Sequence, residues 1–437
     1  MNGSTALLTD RYELTMLDAA LASGRAFRKT VFELFPRRLP DGRRYGVLAG
    51  VGRMLDAVEA FRFEASELDY LTTAKIISPD LAAWLADYRF TGSMWGYGEG
   101  EVYFPNAPLL IVEGTFAEAC VLETLLLSIY NYDSAVAAAA SRMTLMAGDR
   151  PCIEMGARRA HERAAVAASR AAYIAGFAAS SNLEAGRTYG VPTAGTAAHS
   201  FTLLHGSEEE AFRAQLATQG KGTTLLVDTY DVEAAVRTAV ELAGPELGAV
   251  RIDSGDLAEQ AVEVRALLDS LGATKTRIIV TSDLDEYQIA ALRGAPVDGY
   301  GVGTSLVTGS GAPTCSMVYK IVARADSDAA DATLEPVQKR SPNKATIGGR
   351  KYALRRRNAR GIAEADVIGI GRPPVDDGDD RALLVPLIDA GRIVGREPLS
   401  AARARHAASR AELPRAAHKM SRGDAAIPTI IDPEVQP

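Results

Sequence analysis

The chain has 437 residues, of which 47% are hydrophobic, and this length suits two domains or one large domain with an appendage. Its formal net charge of −7 is mild and predicts neither a nucleic-acid-binding surface nor a basic amphipathic helix for a membrane surface. No run of about 18 or more uncharged apolar residues occurs, and the first residues show no signal-peptide pattern, so we expect a cytoplasmic protein without membrane spans.

The three cysteines indicate a reduced protein. Cys120, Cys152 and Cys315 are far apart in the sequence, odd in number, and form no Cys-x-x-Cys pair. A disulfide framework or a zinc site would need paired spacing, so we expect buried thiols and no metal held by cysteines.

The first predicted elements belong to a mixed α+β domain over residues 1–114. The sequence predicts a helix over residues 12–22 and a strand over residues 30–35. A long Ala- and Leu-rich helix is predicted next, over residues 118–146, and its charged residues favour a buried packing helix over a membrane span.

A histidine after a run of small residues is the first candidate functional residue. His199 is one of only five histidines, and residues 191–196 before it have the pattern of a short buried strand. Enzymes with alternating strands and helices place their chemistry at the carboxyl ends of strands, which is where His199 would lie. Taken alone, the pattern is more often that of a structural histidine with its hydrogen bonds satisfied.

Four later segments repeat one plan. Each is apolar or β-branched and ends in Asp, Ser or Gly; the segments are 223–228, 249–253, 277–283 and 299–303. The stretches between them, such as residues 232–242 and 258–271, have apolar residues at helical spacing. Because right-handed crossovers place successive strands side by side, this alternation predicts a parallel sheet in an irregular, partly closed α/β barrel.

The predicted barrel brings several polar strand ends to one rim. Together with His199, the residues expected there are Asp228, Asp253, Ser282, Asp283 and Gly303. A single aspartate at such a position is more often a helix N-cap or a turn residue, whereas a series of polar or glycine strand ends in register favours a pocket.

The segments around the barrel complete the predicted organisation. Residues 115–324 are expected to form the catalytic α/β barrel, and the polar stretch 326–334 suits a linker. Residues 325–437 are expected to pack on the N-terminal domain, so that the N-terminal and C-terminal segments build one additional α+β domain. The Ala/Arg-rich tail from Ala401, which ends in prolines, is expected to be flexible.

Several motifs follow one another between Thr9 and about Arg350. They are Thr9-Asp10-Arg11-Tyr12-Glu13-Leu14-Thr15-Met16, Phe32-Glu33-Leu34-Phe35-Pro36-Arg37-Arg38-Leu39-Pro40, Glu113-Gly114, Asn131-Tyr132 with Arg142, Gly195-Thr196-Ala197-Ala198-His199-Ser200, and Arg251-Ile252-Asp253-Ser254-Gly255-Asp256-Leu257. Together they resemble the nicotinate phosphoribosyltransferase family. The C-terminal stretch beyond them matches poorly.

The resemblance implies a reaction. Phosphoribose is transferred from phosphoribosyl pyrophosphate to nicotinate, giving nicotinate mononucleotide and pyrophosphate in NAD biosynthesis or salvage, with ATP hydrolysed as a co-substrate. It also implies Mg²⁺ on the pyrophosphate. No GxxxxGK[ST] phosphate loop occurs, so ATP is expected in the same pocket as phosphoribosyl pyrophosphate.

The resemblance also implies catalytic roles, residue by residue. His199 is similar to the histidine that ATP phosphorylates, and Asp228 to the carboxylate that hydrogen-bonds and orients it. A neutral imidazole nitrogen can accept a phosphoryl group, and a carboxylate on the other nitrogen fixes the tautomer. Asp253 is similar to the acid that holds the ribose hydroxyls.

Further residues are implied to bind the substrates. Arg251 is similar to the arginine beside the nicotinate carboxylate or ring, and Arg158 to an arginine for substrate and phosphate. The 5′-phosphate is expected at Ser282, Asp283, Gly303 and Thr304.

Three positions bear on the pyridine ring. Tyr12 is similar to a tyrosine that stacks on the ring in the neighbouring subunit's pocket, so the resemblance implies a homodimer with shared active sites. Met155 stands where the family usually has an aromatic residue, and a thioether supplies only part of that contact. Ser181 lies in the segment where nicotinamide-using relatives have an aspartate that accepts the amide N–H.

Three alternatives remain open. Nicotinamide phosphoribosyltransferase shares the histidine and the Arg251/Asp253 motif, but the absence of an acid near Ser181 argues against it. Quinolinate phosphoribosyltransferase needs no ATP and would have a more basic pocket for two carboxylates. A catalytically inactive, barrel-derived binding protein would be expected to have lost His199, Asp228 or Asp253, and all three are present.

Overall fold

The computed structural model of the chain describes residues 3–327, 329, 331–339 and 346–432. Its contacts divide it into two compact units. The first unit contains Met1–Ala138 and Ala312–Pro437, and the second contains Ala139–Gly311.

The helices and strands of the described residues are as follows, in chain order. The helices are α1 (Arg11–Ala22), α2 (Val51–Glu59), α3 (Ala65–Thr73), α4 (Pro79–Ala86), α5 (Phe116–Cys120), α6 (Glu123–Ala147), α7 (Glu162–Ile174), α8 (Leu183–Tyr189), α9 (His199–Leu204), α10 (Glu208–Gln219), α11 (Val232–Ala243), α12 (Leu257–Ser270), α13 (Glu286–Ala291), α14 (Thr304–Val307) and α15 (Leu399–Ala411). The strands are β1 (Lys29–Pro36), β2 (Gly46–Val47), β3 (Ser93–Tyr97), β4 (Val102–Tyr103), β5 (Leu110–Thr115), β6 (Cys152–Glu154), β7 (Ala179–Ser180), β8 (Thr224–Leu226), β9 (Ala249–Ile252), β10 (Arg277–Val280), β11 (Gly299–Val302), β12 (Met317–Ala325), β13 (Leu334–Pro336), β14 (Lys351–Arg357), β15 (Ala363–Ile370), β16 (Arg381–Ala382), β17 (Leu384–Asp389), β18 (Arg392–Ile393) and β19 (Thr429–Ile431).

The first unit is built on a seven-stranded sheet with strand order β13-β12-β1-β5-β3-β17-β18. Strand β1 matches the strand predicted over residues 30–35, and it pairs antiparallel with β5 on one side and β12 on the other. Its side chains Phe32 and Leu34 join a core cluster that also contains Leu14 and Leu17 of α1. Because β12 and β17 follow the second unit in the chain, the N-terminal and C-terminal parts of the chain build one α+β unit, as the fold prediction expected.

A smaller sheet in the same unit has the order β16-β14-β15-β19. Strand β19 pairs parallel with β15 through Ile430 and Val367. The tail from Ala401, for which the sequence predicts flexibility, therefore contains most of α15 and a paired strand. Residues 433–437 of that tail lie outside the described residues.

A buried arginine ties this smaller sheet to the segment before β4. Arg355 of β14 is fully buried, with its Nε 2.8 Å from Asp366 Oδ1 and its Nη1 2.9 Å from Glu101 Oε1. Arg381 lies 2.7 Å from the other carboxylate oxygen of Glu101. Burial by itself would raise the pKa of Glu101, but the hydrogen bonds and positive charges of these two arginines lower it.

Arg355→Met is expected to lower the free energy of unfolding by about 3–5 kcal/mol, because Glu101 and Asp366 would keep buried charges that have lost a partner. Arg396→Met is the matched control. Arg396 is about half exposed and pairs with two surface carboxylates, so its loss should cost less than about 1 kcal/mol. Urea unfolding measures both variants, and equal losses would contradict a special role for the buried network.

The second unit contains a six-stranded sheet with strand order β7-β6-β11-β10-β9-β8. Every neighbouring pair in it is parallel. Strands β8 to β11 fall inside the four predicted segments, and α11 and α12 occupy the predicted helical stretches. Strands β7 and β8 are the two edges of this order, so the barrel is not closed. The curled parallel sheet is the partly closed α/β barrel that the sequence predicts.

The prediction of a strand over residues 191–196 is wrong. Only an isolated bridge joins Thr193 to Ser180, and most of the segment is at least partly exposed. The Ser180 N–H donates to Pro192 O and the Ala194 N–H donates to Ser180 O, each at 2.9 Å. Pro192 has no N–H with which to continue a ladder. His199 consequently begins helix α9 and does not follow a strand.

The helix predicted over residues 118–146 is two helices, α5 and α6, which are separated by Val121 and Leu122. Leu126 and Tyr130 of α6 are buried in the core of the first unit, and the boundary between the two compact units falls inside α6. Among the described residues, no helix has both the length and the apolar character needed to cross a membrane.

Candidate active site

A cavity of about 440 Å³ lies at the carboxyl ends of the parallel strands in the second unit. It is lined by most of the residues that the sequence nominated: Met155, Arg158, Ser181, Arg251, Asp253, Ser282, Asp283, Gly303 and Thr304. The sheet thus brings together residues that are up to 149 positions apart in the chain, since Met155 and Thr304 line the same cavity.

His199 lies beside this cavity, directly after Ala198, which lines it. The imidazole is 41% exposed, so a ligand can reach it. Its Nδ1 is 3.1 Å from Thr229 Oγ1. Its Nε2 is 4.0 Å from Asp228 Oδ1 and 3.9 Å from Asp253 Oδ2. Two carboxylates therefore lie about 4 Å from one ring nitrogen.

Asp228 is held firmly by the neighbouring strand end. Its side chain is 2% exposed, and its Oδ2 accepts hydrogen bonds from the Asp253 N–H at 2.8 Å and from Ser254 Oγ at 2.7 Å. Its Oδ1 is buried and has no hydrogen-bond partner among the described residues. At 4.0 Å this oxygen is too far for the expected hydrogen bond to His199, whose hydrogen-bonded neighbour is Thr229.

Asp253 is oriented by the next strand end. Its Oδ1 accepts a hydrogen bond from Thr281 Oγ1, which leaves Oδ2 on the side of His199. The side chain is 29% exposed and lines the cavity. A carboxylate in this position can accept hydrogen bonds from substrate hydroxyls and offset positive charge.

Arginines supply the positive charge of the cavity. Arg251 donates from Nη1 to Thr196 Oγ1, and burial lowers the pKa of its guanidinium, with the nearby charge of Arg158 acting in the same direction. An arginine stays protonated despite such a shift. Arg158 and Arg251 both line the cavity and can therefore attract a carboxylate or a phosphate.

Met155 fits beside a glycine that leaves it room. A Cβ on Gly301 would lie 2.7 Å from Met155 Sδ and would also collide with Thr281. The Met155 N–H donates to Val302 O at 2.8 Å, which fixes the backbone at this end of the cavity. A flexible, polarizable thioether thus occupies the position where the sequence resemblance implies an aromatic ring.

The expected phosphate-binding residues occupy two adjacent loops. Ser282 follows β10 with φ of +98°, a conformation that non-glycine residues seldom adopt. Gly303 follows β11, and Thr304 begins α14. Strained backbone of this kind persists where surrounding structure enforces it, often at ligand sites.

Tyr12 belongs to the first unit. It lies on α1 and is 41% exposed, and burial together with the charges of Glu123 and Glu13 raises the pKa of its hydroxyl. Its expected role in a partner's site stays a prediction.

Two other motif residues have structural contacts. Asn131 Oδ1 accepts hydrogen bonds from Thr314 Oγ1 at 2.8 Å and from the Cys315 N–H at 3.1 Å, both in the first unit. Arg142 in the second unit lies 3.1 Å from Glu286 Oε1. These contacts account for both motif residues without a catalytic role.

Sequence reasoning missed four residues that hold the site together. They are Glu154, Thr196, Thr229 and Thr281, and each contacts a nominated residue or its loop. Glu154, Thr229 and Thr281 each adjoin a nominated residue, and Thr196 lies inside the motif that contains His199, so proximity was the available signal.

The chain is similar to proteins of one family. A family model for the nicotinate phosphoribosyltransferase (NAPRTase) N-terminal domain matches residues 7–131. A nicotinate phosphoribosyltransferase of Mycobacterium tuberculosis is 57% identical over 432 residues, covering 97% of this chain and 94% of that protein. One of Bacillus subtilis is 38% identical over 385 residues, covering 86% of this chain and 78% of that protein. The crystal structure of human nicotinic acid phosphoribosyltransferase has a TM-score of 0.84 at 26% identity and covers 98% of both chains.

Proposed function

Since the chain belongs to the nicotinate phosphoribosyltransferase family, we propose that it transfers phosphoribose from phosphoribosyl pyrophosphate to nicotinate in NAD biosynthesis. One observation carries the proposal: the two arginines Arg158 and Arg251, the carboxylate of Asp253 and the loops at Ser282 and Gly303 all line one cavity. A carboxylate substrate, a ribose and a phosphate each find a matching group there.

The transfer breaks one bond and forms one bond at the ribose, and a few charged side chains can stabilise the charges that develop. The pyridine nitrogen forms a bond to C1 of the ribose while the bond from C1 to a pyrophosphate oxygen breaks, and the electron pair leaves with pyrophosphate. Positive charge develops on the ribose at the transition state. The Asp253 carboxylate offsets this charge and holds the ribose hydroxyls, whereas Arg158 and Arg251 offset the negative charge of the substrates.

The oxygen donors beside the cavity fit Mg²⁺. Asp228 Oδ1 is buried without a hydrogen bond among the described residues, and Asp253 Oδ2 is on the same side of His199. Mg²⁺ prefers oxygen ligands and is usually bound by one or two carboxylates together with substrate phosphates. Because it lacks a hydrogen-bond partner among the described residues, Oδ1 of Asp228 would be its side-chain ligand; when bound, the ion would neutralise charge on the leaving pyrophosphate.

His199 is the proposed site of coupling to ATP. Its ring is partly exposed, Thr229 holds Nδ1, and two carboxylates lie about 4 Å from Nε2. A phosphoryl group transferred from ATP to a ring nitrogen would leave ADP and a phosphohistidine, and the carboxylates would stabilise the positive charge on the ring. Hydrolysis of that phosphohistidine would return the free imidazole.

We propose that each active site is shared between two subunits of a homodimer. The exposed Tyr12 of one subunit would complete the ring pocket of the other, where Met155 supplies one face. The three buried, unpaired cysteines fit a reducing compartment, so we place the enzyme in the cytoplasm.

A parallel turnover assay tests the proposed function. Nicotinate, nicotinamide and quinolinate would each be supplied with phosphoribosyl pyrophosphate and Mg²⁺, with and without ATP. We expect turnover of nicotinate that ATP stimulates. ATP-stimulated turnover of nicotinamide alone, ATP-independent turnover of quinolinate alone, or no turnover would each contradict the proposal and point to the corresponding alternative.

Ser181→Asp is expected to shift preference from nicotinate toward nicotinamide. Ser181 lines the cavity that contains Arg158 and Arg251, so a carboxylate there would repel the nicotinate carboxylate and accept an amide N–H. The ratio of the two kcat/KM values should change roughly tenfold or more, because two carboxylates placed against each other in the cavity repel. Ser181→Asn is the size-matched neutral control and should change the ratio much less. An unchanged ratio in Ser181→Asp would mean that Ser181 does not contact the ring substituent.

A further inference from the structure

Glu154 is a buried carboxylate that the mechanism above does not use. It is the last residue of β6 and is 0% exposed. Its Oε1 accepts a hydrogen bond from the Gly156 N–H, and its Oε2 accepts hydrogen bonds from Ser169 Oγ at 2.9 Å and from Ser180 Oγ. All three donors are neutral, and they come from a loop, from α7 and from β7.

These donors belong to the segments that form one end of the cavity. Gly156 lies between Met155 and Arg158, which both line the cavity. Ser180 precedes Ser181, and its Oγ also accepts the Asn182 N–H at 2.9 Å. The backbone of Glu154 adds a further link, because its carbonyl oxygen accepts the Ser181 N–H at 2.8 Å. One residue therefore connects the loop of Met155 and Arg158 to the loop of Ser181.

The Gly156 loop has little freedom to shift. A Cβ on Gly156 would collide with Val307 and would lie 2.9 Å from Gly303 O and 3.1 Å from Glu154 Oε1. Gly303 belongs to the expected phosphate loop. The hydrogen bond from Gly156 to Glu154 thus also sets how the ring end of the cavity is spaced from the phosphate end.

We propose that Glu154 is a positioning residue for nicotinate, which holds Met155, Arg158 and Ser181 at the spacing that the ring requires. The inference rests on the proposed function. Removing the carboxylate would leave buried donors unpaired, and the two loops would relax to satisfy them. No hydrogen bond described above joins His199, Asp228 or Thr229 to the Glu154 carboxylate. The backbone bonds of Ser180 to Pro192 and Ala194 do not involve that carboxylate, so ATP coupling should be spared.

Glu154→Ala is expected to raise the KM for nicotinate roughly ten- to hundredfold, since small displacements of positioning groups have effects of this size. The KM for ATP and the amount of acid-labile phosphate on His199 should stay close to those of the wild type. Glu118→Ala is the matched control, because Glu118 is also a buried acid that accepts hydrogen bonds from two threonines, in the first unit. It should lower the melting temperature without changing the KM for nicotinate.

Glu154→Gln should recover most of the lost affinity. The glutamine oxygen can accept the Gly156 N–H, and its NH₂ can donate to the two serine hydroxyls, because Ser169 Oγ can turn its own hydrogen to Ala165 O, 2.8 Å away. Ser180→Ala removes one link with little change in volume, and we expect it to raise the KM for nicotinate in the same direction as Glu154→Ala. It provides the test if Glu154→Ala does not fold.

Different results would overturn different claims. Wild-type enzyme that does not turn over nicotinate would overturn the proposed function and this inference with it. Wild-type turnover combined with an unchanged KM for nicotinate in Glu154→Ala or Ser180→Ala would overturn the inference alone. Equal loss of nicotinate binding and of His199 phosphorylation in these variants, or the same KM change in Glu118→Ala, would show that Glu154 acts only on folding.

Discussion

His199→Ala is expected to abolish phosphohistidine formation and ATP hydrolysis while leaving slow, ATP-independent transfer of phosphoribose. His199 lies beside the cavity at the start of α9, whereas Arg251 and Asp253 lie inside it and are held by Thr196 and Thr281. Loss of the imidazole therefore removes the phosphoryl acceptor but keeps the groups assigned to the ribosyl transfer. Labelling with γ-phosphate-labelled ATP, followed by an acid-lability test, measures the first effect, and nicotinate mononucleotide formation measures the second.

His205→Ala is the matched control for His199→Ala. His205 follows the last residue of α9, and its Nδ1 lies 2.8 Å from Phe201 O in the same helix. Its replacement should leave both labelling and ATP stimulation intact. Acid-labile phosphate on His199→Ala, or full ATP stimulation of that variant, would contradict the assignment of His199.

Tyr12→Ala and Asp253→Asn are each expected to be nearly inactive as homodimers, yet to regain activity when mixed and re-annealed. If two chains share each site, half of the sites in a heterodimer combine an intact Tyr12 with an intact Asp253. Random pairing of an isologous dimer then gives a recovery that approaches about a quarter of wild-type activity. The measurement is turnover of nicotinate after subunit exchange.

Sedimentation beside this assay must establish that subunits exchange. The matched control mixes Asp253→Asn with His199→Ala, because both residues lie in the second unit of one chain and neither variant should complement the other's ATP-stimulated turnover. Exchange without any recovered turnover in the Tyr12 mixture would mean that Tyr12 serves its own subunit or has no role in the site.

The alternation of apolar strands and amphipathic helices could be predicted from the sequence because each element has a pattern of neighbouring residues along the chain. Each of the strands β8 to β11 is followed, one or two positions after its last residue, by a residue of the predicted rim. In chain order these residues are Asp228, Asp253, Ser282 and Gly303. A polar or glycine residue often marks the position where a buried strand ends. The carboxyl ends of parallel strands all lie at the same edge of the sheet. Those two facts, together with the motifs, were enough to predict the rim and the cavity that it lines.

The segment before His199 shows where local pattern misleads. Small apolar residues suggest a buried strand, but a strand also needs a partner that supplies a ladder of hydrogen bonds. Only Ser180 does so for residues 191–196, and Pro192 cannot donate. Whether a neighbour exists is decided by residues far away in the sequence.

The sequence by itself determined the fold class, the family and most of the residues that line the cavity, because strand periodicity and motifs are written along the chain. Only the tertiary structure decided which groups touch. The hydrogen bond between His199 and Thr229, the hydrogen bond from Thr281 to Asp253 and the three donors on Glu154 each join different strand ends or loops. A hydrogen bond is lost when the distance between donor and acceptor grows by about an ångström. Such contacts therefore depend on the exact register and spacing of neighbouring strands. Spacing along the chain carries no information at that scale.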